Sequence, residues 1–255
     1  MAESTGRYLY AIGRGIPPAA LEAEAGLGEA PLRVVEHRGL SAVVSDVDLE
    51  EYGEEGLRRN LEDLRWLEYV ARTHDAVVRA AAAAGPTAPL RLATVCFDDE
   101  QVRRRIDEWH DALERALDRV EGRVEWSVKA YVPDRVVPAG VPVAAATGPG
   151  AGAAYLRRRK EETVRRQQAD EVVARDADDL YDALAASAVA GRRLRPQDPR
   201  LTQHAGTMTL NAAFLVEDGV DFAALVEEAA RSRPRLHAES AGPWPAYSFA
   251  TLEES

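Results

Sequence analysis

Apolar positions along the chain change period several times, and each change marks an element. Residues 8–12, YLYAI, form a short apolar run with β-favouring tyrosines and predict a first strand. RVVEH (33–37) and LSAVVSDV (40–47) flank Arg38-Gly39, where glycine supplies the positive φ of a tight turn, so the pair predicts a β-hairpin. From Leu57 the spacing becomes three and four, through Leu61, Leu64, Leu67 (with Trp66), Val70, His74, Val77 and Ala81. That is the stripe of a helix facing a core, and Gly85-Pro86 stops it. LRLATVCF (90–97) predicts a buried strand. Asp98 or Asp99 is placed to cap the next helix, which carries Val102, Ile106, Trp109, Leu113, Leu117 and Val120 and ends at Gly122.

VEWSVKAYV (124–132) alternates, with Val124, Trp126, Val128, Ala130 and Val132 on one face, and predicts a half-buried strand. A Pro/Gly/Ala-rich connection over 133–152 precedes a long helix over 153–190, for which Gly191 is a natural terminator. A short strand at 192–195, a strand over 207–216 (Met208, Leu210, Ala212, Phe214 and Val216 on one face), a capped helix over 218–232 and a last strand at 234–240 complete the pattern. The fold class is therefore α+β in two domains. Residues 1–121 form an N-terminal α+β domain. Residues 122–241 follow the βαββαβ order of a modified ferredoxin-like domain, and 242–255 form an extended C-terminal tail.

Composition narrows the function classes. The 255 residues are 46% hydrophobic and 29% charged, with no apolar run approaching the roughly 20 residues that span a bilayer. The start, MAESTGRYLYAIG, lacks the basic-then-apolar pattern of a secretory signal. The single cysteine, Cys96, excludes an internal disulfide and fits a reducing cytoplasm. A net charge of -11 argues against nucleic-acid or membrane binding by the chain as a whole.

Two stretches bear on chemistry. GPGAGA (148–153) fits a G-x-G-x-x-A dinucleotide fingerprint, and a nucleotide-binding enzyme built on it is one alternative function. The context is wrong for that role, because the helix it opens runs too long and Pro149 removes an amide donor. A second alternative is an RNA-binding ferredoxin-like module working through residues 157–166, but the strands lack the aromatic pattern RNA needs. The same stretch carries Arg157, Arg158, Arg159, Lys160, Arg165 and Arg166 against Glu161 and Glu162, a net +4 over 151–168, whereas 169–190 has net -5. Cations near a helix N-terminus oppose its macrodipole, so this order points to a charged partner surface, against the plainer alternative of a solvated face with i,i+4 pairs. The five histidines form no ligand spacing, Cys96 sits mid-strand, and no nucleophile elbow or P-loop occurs. No metal, cofactor, catalytic residue or small-molecule substrate is expected.

RYLYAIG at the start, LRLATVCF, AYLRRRKEE and LNAAFLVE…GPWPAYSFA at the end together resemble the GvpL/GvpF family of gas vesicle proteins across essentially the whole chain. The sequence departs from the family's pattern where Ala246 replaces a second proline and where Leu92-Ala93 stands for a Phe-Gly pair. The resemblance implies a two-domain fold with a ferredoxin-like second domain and a tail. It also implies a non-enzymatic accessory or minor structural protein, cytoplasmic or on the gas vesicle, that binds the hydrophobic shell protein and other vesicle proteins during assembly.

The tail is unusual in a chain with 6% aromatics, since Trp244, Tyr247 and Phe249 fall within AGPWPAYSFA. Pro243 and Pro245 lack amide donors and keep the segment out of a sheet interior. The three rings are expected either to clamp the chain's own domains or to engage a partner.

Overall fold

A computed structural model describes residues 5–133, 151–197 and 206–250, apart from the side chains of 151–156, 158 and 166. The fold is α+β with two sheets, and the chain divides into two compact units, Met1–Glu125 with Pro243–Ser255, and Trp126–Gly242.

In the first unit, β1 (Thr5–Gly13) is the centre of an antiparallel sheet of order β2-β3-β1-β4, with β2 at Arg33–His37, β3 at Leu40–Asp48 and β4 at Thr87–Pro89. The short β5 (Val95–Cys96) also pairs with β1. Residues Tyr8 to Ile12 are fully buried, as their continuous apolar run requires in a strand covered on both faces. The hairpin turn has φ of 49° at Arg38 and 79° at Gly39, the twin positive values that match the twist of the flanking strands.

Two helical segments, α1 (Leu49–Tyr52) and α2 (Glu54–Asn60), precede α3 (Leu64–Ala84). The helix predicted to run on from Leu57 is thus broken at 61–63. Asp63 is the reason: its carboxylate accepts from the amides of Arg65 and Trp66 and starts a new helix, leaving Leu61 and Leu64 exposed. Beyond the cap the predicted stripe packs, with Val70, His74, Val77 and Ala81 buried against Tyr8, Tyr10 and Val43. The strand predicted over 90–97 shrinks to β5 at Val95–Cys96, and β4 lies before the predicted range. A turn with Ala93 at φ 63° separates β4 from β5, and the Ala93 amide donates to the Tyr8 hydroxyl. α4 (Asp99–Val120) follows, capped by Asp98 through the Gln101 amide, and buries Val102, Ile106, Leu113, Leu117 and Val120.

β6 (Arg123–Val132) leads into the second unit, whose sheet has the order β7-β8-β6-β9. α5 (Ala151–Ala185) ends five residues before the predicted limit, and Gly191 lies inside β7 (Ala190–Arg193) instead of terminating the helix. A Cβ at Gly191 would sit 2.9 Å from the Tyr181 hydroxyl and 3.3 Å from the Phe214 ring, so close packing fixes this glycine. β8 (Thr207–Glu217) is buried on both faces from Leu210 to Val216, more than the single apolar face predicted. α6 (Phe222–Arg231) is capped by Asp221, and its Phe222 ring stacks near Phe214 and Trp126. β9 (His237–Trp244) starts later than predicted and includes Pro243, which an edge strand tolerates because one row of its amides has no ladder partner.

Candidate functional site

Two surfaces hold the residues singled out in the sequence. The first is the N-terminal half of α5. Arg157, Arg159, Lys160 and Arg165 are exposed on it, while the side chains of Arg158 and Arg166 lie outside the described residues. Val164, among these cations, is 42% exposed. The C-terminal half is where α5 packs, with Ala177, Leu180 and Leu184 buried. There Asp176 pairs with Arg235 at 3.1 Å and Asp178 with Arg193 at 2.8 Å, and the Arg193 guanidinium lies over the Tyr181 ring. The basic half has no such anchoring among the described residues. Glu161 sits four residues from both Arg157 and Arg165, yet no ion pair closes between them.

The second surface is the tail, all of it within the first unit. After Trp244 the chain turns, with the Ala250 amide donating to the Ala246 carbonyl at 2.9 Å. Ala246, Phe249 and Ala250 are buried. The Arg79 guanidinium lies 4.3 Å above the Trp244 ring, and its Nε donates to Asp75 at 2.7 Å. The Tyr247 hydroxyl donates to the same Asp75 at 3.4 Å, and its ring packs on the Tyr8–Val78 core, whose burial raises the phenol pKa. Trp244 and Tyr247 thus sit on the Asp75/Arg79 turn of α3, one on each member of an i,i+4 ion pair.

Sequence reasoning missed the partner that anchors this turn. Glu125 is buried on β6, and both its carboxylate oxygens accept from Ser248, one from the amide and one from the hydroxyl, each at 2.7 Å. A glutamate among alternating apolar residues reads as solvent-facing. The only available signal was a single acid in an otherwise alternating strand.

Among the described residues, no acid–base or nucleophilic constellation accompanies these surfaces. The Cys96 thiol is buried, and burial pushes its pKa up, away from a reactive thiolate. His74 packs between Tyr8 and Tyr10, with Nδ1 3.2 Å from the Tyr8 hydroxyl, and burial pushes its pKa down to about 4. Among the described residues no three His, Cys, Asp or Glu side chains cluster as a metal site, and no helix is long and apolar enough to cross a membrane. Residues 148–150 of the glycine motif and His204 lie outside the described residues.

Comparison with known proteins converges on one group. The gas vesicle synthesis protein GvpL/GvpF family matches residues 6–251. A gas vesicle protein L from Streptomyces sp. (strain CB03234) is 41% identical over 97% of this chain and 94% of its own length. A gas vesicle protein F from the same strain is 27% identical, covering 95% and 98%. The crystal structure of GvpF from Anabaena sp. PCC7120 superposes with a TM-score of 0.67 at 22% identity, covering 98% of each chain. That of GvpF from Microcystis aeruginosa gives 0.63 at 22% identity, covering 97% and 99%. At that identity the two structures bear on the fold alone.

Proposed function

The chain belongs to the GvpL/GvpF family of gas vesicle synthesis proteins, and on that premise we propose that it is a non-enzymatic assembly component that works by binding. Its partners in this reading are the small hydrophobic shell protein and other vesicle proteins, met in the cytoplasm or on the growing vesicle. The observation that carries the reading is the family match across residues 6–251, which leaves almost no part of the chain for an unrelated activity.

The division of labour follows from the two surfaces. Trp244, Tyr247 and Phe249 belong to a clasp that holds the end of the chain on α3 and Glu125. The cations Arg157, Arg158, Arg159, Lys160, Arg165 and Arg166 form the surface through which other chains are met. Exposure at Arg157, Arg159, Lys160 and Arg165, and the lack of pairs with other described residues, support that assignment. The second unit is read as a ferredoxin-like domain, supported by its β6-α5-β7-β8-α6-β9 order and the strand order β7-β8-β6-β9.

A pull-down with the purified full chain against the shell protein and the other vesicle gene products tests the proposal. Retention of one or more of them is expected. A correctly folded chain that retains none of them overturns it.

A further inference from the structure

One straight line along α5 begins with cations and ends with acids, with Arg175 the one cation among the acids. Starting at Arg157 and Lys160, steps of three and four residues lead through Val164, Gln168, Glu171 and Arg175 to Asp178 and Asp182, every one of them exposed. At about 1.5 Å per residue the line is about 38 Å long. Beside it, Asp179 is exposed as well. With respect to the other described residues, the side chains of Arg157, Lys160, Asp179 and Asp182 make no hydrogen bond or ion pair. The order of charge also opposes the helix macrodipole, so isolated helix stability does not account for it.

We propose that this line is a self-association surface, on which a second copy of the chain lies antiparallel. A two-fold axis passing between Ala169 and Asp170 sets Arg157 opposite Asp182 of the other copy and Lys160 opposite Asp179 of the other copy. The symmetry repeats both meetings. A parallel pair would instead set Arg157 against Arg157 and Asp182 against Asp182, so charge selects the antiparallel arrangement. The unfavourable meetings in this register are Glu161 opposite Asp178, which is already neutralised by Arg193 at 2.8 Å, and Arg175 opposite Val164 of the other copy. One polar helix face is small for a specific interface, so the dimer is weak, concentration-dependent and sensitive to salt. The inference rests on α5 as the inter-chain contact surface of the proposed function, and names a second copy as its occupant.

Sedimentation velocity on the purified full chain tests it. A monomer–dimer equilibrium is expected at low ionic strength, with the dissociation constant rising at least about tenfold at high salt. The double variant Arg157→Asp/Lys160→Asp and the double variant Asp179→Lys/Asp182→Lys are each expected to be monomeric, with circular dichroism confirming the fold. Mixing the two is expected to restore a dimer, because each then meets the opposite charge at both ends. A wild-type chain that stays monomeric at low salt, a dimer indifferent to either reversal, or a mixture that stays monomeric overturns the proposal. If self-association fails in these ways while the shell protein is still retained, the assembly reading stands and only the antiparallel pairing falls.

Discussion

Ser248 and Glu125 lie 123 positions apart and meet through two hydrogen bonds of 2.7 Å, the Ser248 amide and hydroxyl each donating to one carboxylate oxygen. Glu125 is 7% exposed, and a buried carboxylate is stable only when its oxygens are paired. The tail is therefore part of the first unit's polar bookkeeping and not an appendage.

Removing the hydroxyl takes away one of the two hydrogen bonds that Ser248 makes to Glu125. Ser248→Ala is expected to lower stability by about 1–2 kcal/mol in urea unfolding. Glu125→Ala, which strands the Ser248 donors and opens a cavity, is expected to cost about 2–4 kcal/mol. Unfolding midpoints unchanged in both variants would mean that the tail does not depend on this contact.

Trp244 and Arg79 offer a second handle on the same clasp. A guanidinium 4.3 Å over an indole, held there by Asp75, is a partly desolvated cation–π contact of about 0.5–1 kcal/mol. A double-mutant cycle over Trp244→Ala and Arg79→Ala should return a coupling of that size. Additive single effects would show the two side chains to be neighbours without interaction.

These contacts mark where the sequence was legible. α4 could be read directly, because the Asp98 cap and the stripe from Val102 to Val120 agree with each other. The Arg38-Gly39 hairpin was equally local, its turn chemistry sitting between two β-favouring runs. Failure came where a local pattern met a distant partner. The Leu57 stripe ignored Asp63, whose cap outweighs apolar period. The 90–97 run looked like one strand because nothing local announces that the Tyr8 hydroxyl takes the Ala93 amide. Gly191 imitated a helix terminator, although its role depends on Tyr181 and Phe214. The prolines kept the segment out of a sheet interior, and β9 takes in Pro243 as an edge strand. The charge split of α5 needed no partner to be seen, whereas the Glu125–Ser248 contact joins residues 123 positions apart.

His74 sets the pH response of the first unit. Its folded pKa, pushed down to about 4 chiefly by burial, lies below the ordinary value of 6.5, so the unfolded chain takes up the proton first. Its contribution is complete above pH 6.5 and is lost as pH falls towards 4, by about 3 kcal/mol in all. Asp99, held far below the usual carboxylate range by Arg33 and Arg7, acts only below its ordinary value of 3.8, so the two windows separate. Urea unfolding from pH 7 to pH 4 should show the decline, and His74→Gln should flatten it whatever its effect at pH 7. An equal slope in the variant would assign the pH response to other groups.

Ala93 holds the turn between β4 and β5 at φ 63°, the left-handed region that crowds any Cβ against the carbonyl. The turn cannot relax, since the Ala93 amide is tied to the Tyr8 hydroxyl at 2.9 Å and the next carbonyl, of Thr94, accepts from Leu9 at 2.8 Å. Ala93→Gly relieves the crowding and gives back part of the gain through a more flexible unfolded chain, for a net stabilisation of about 0.5–1 kcal/mol. That corresponds to a rise in Tm of about 1–4 °C for a chain of this size. Ala93→Val, whose branched side chain tolerates this region worse, is expected to destabilise by more than about 1 kcal/mol. A lower Tm for the glycine variant would mean that the turn gains more from a stiff unfolded chain than it loses to strain.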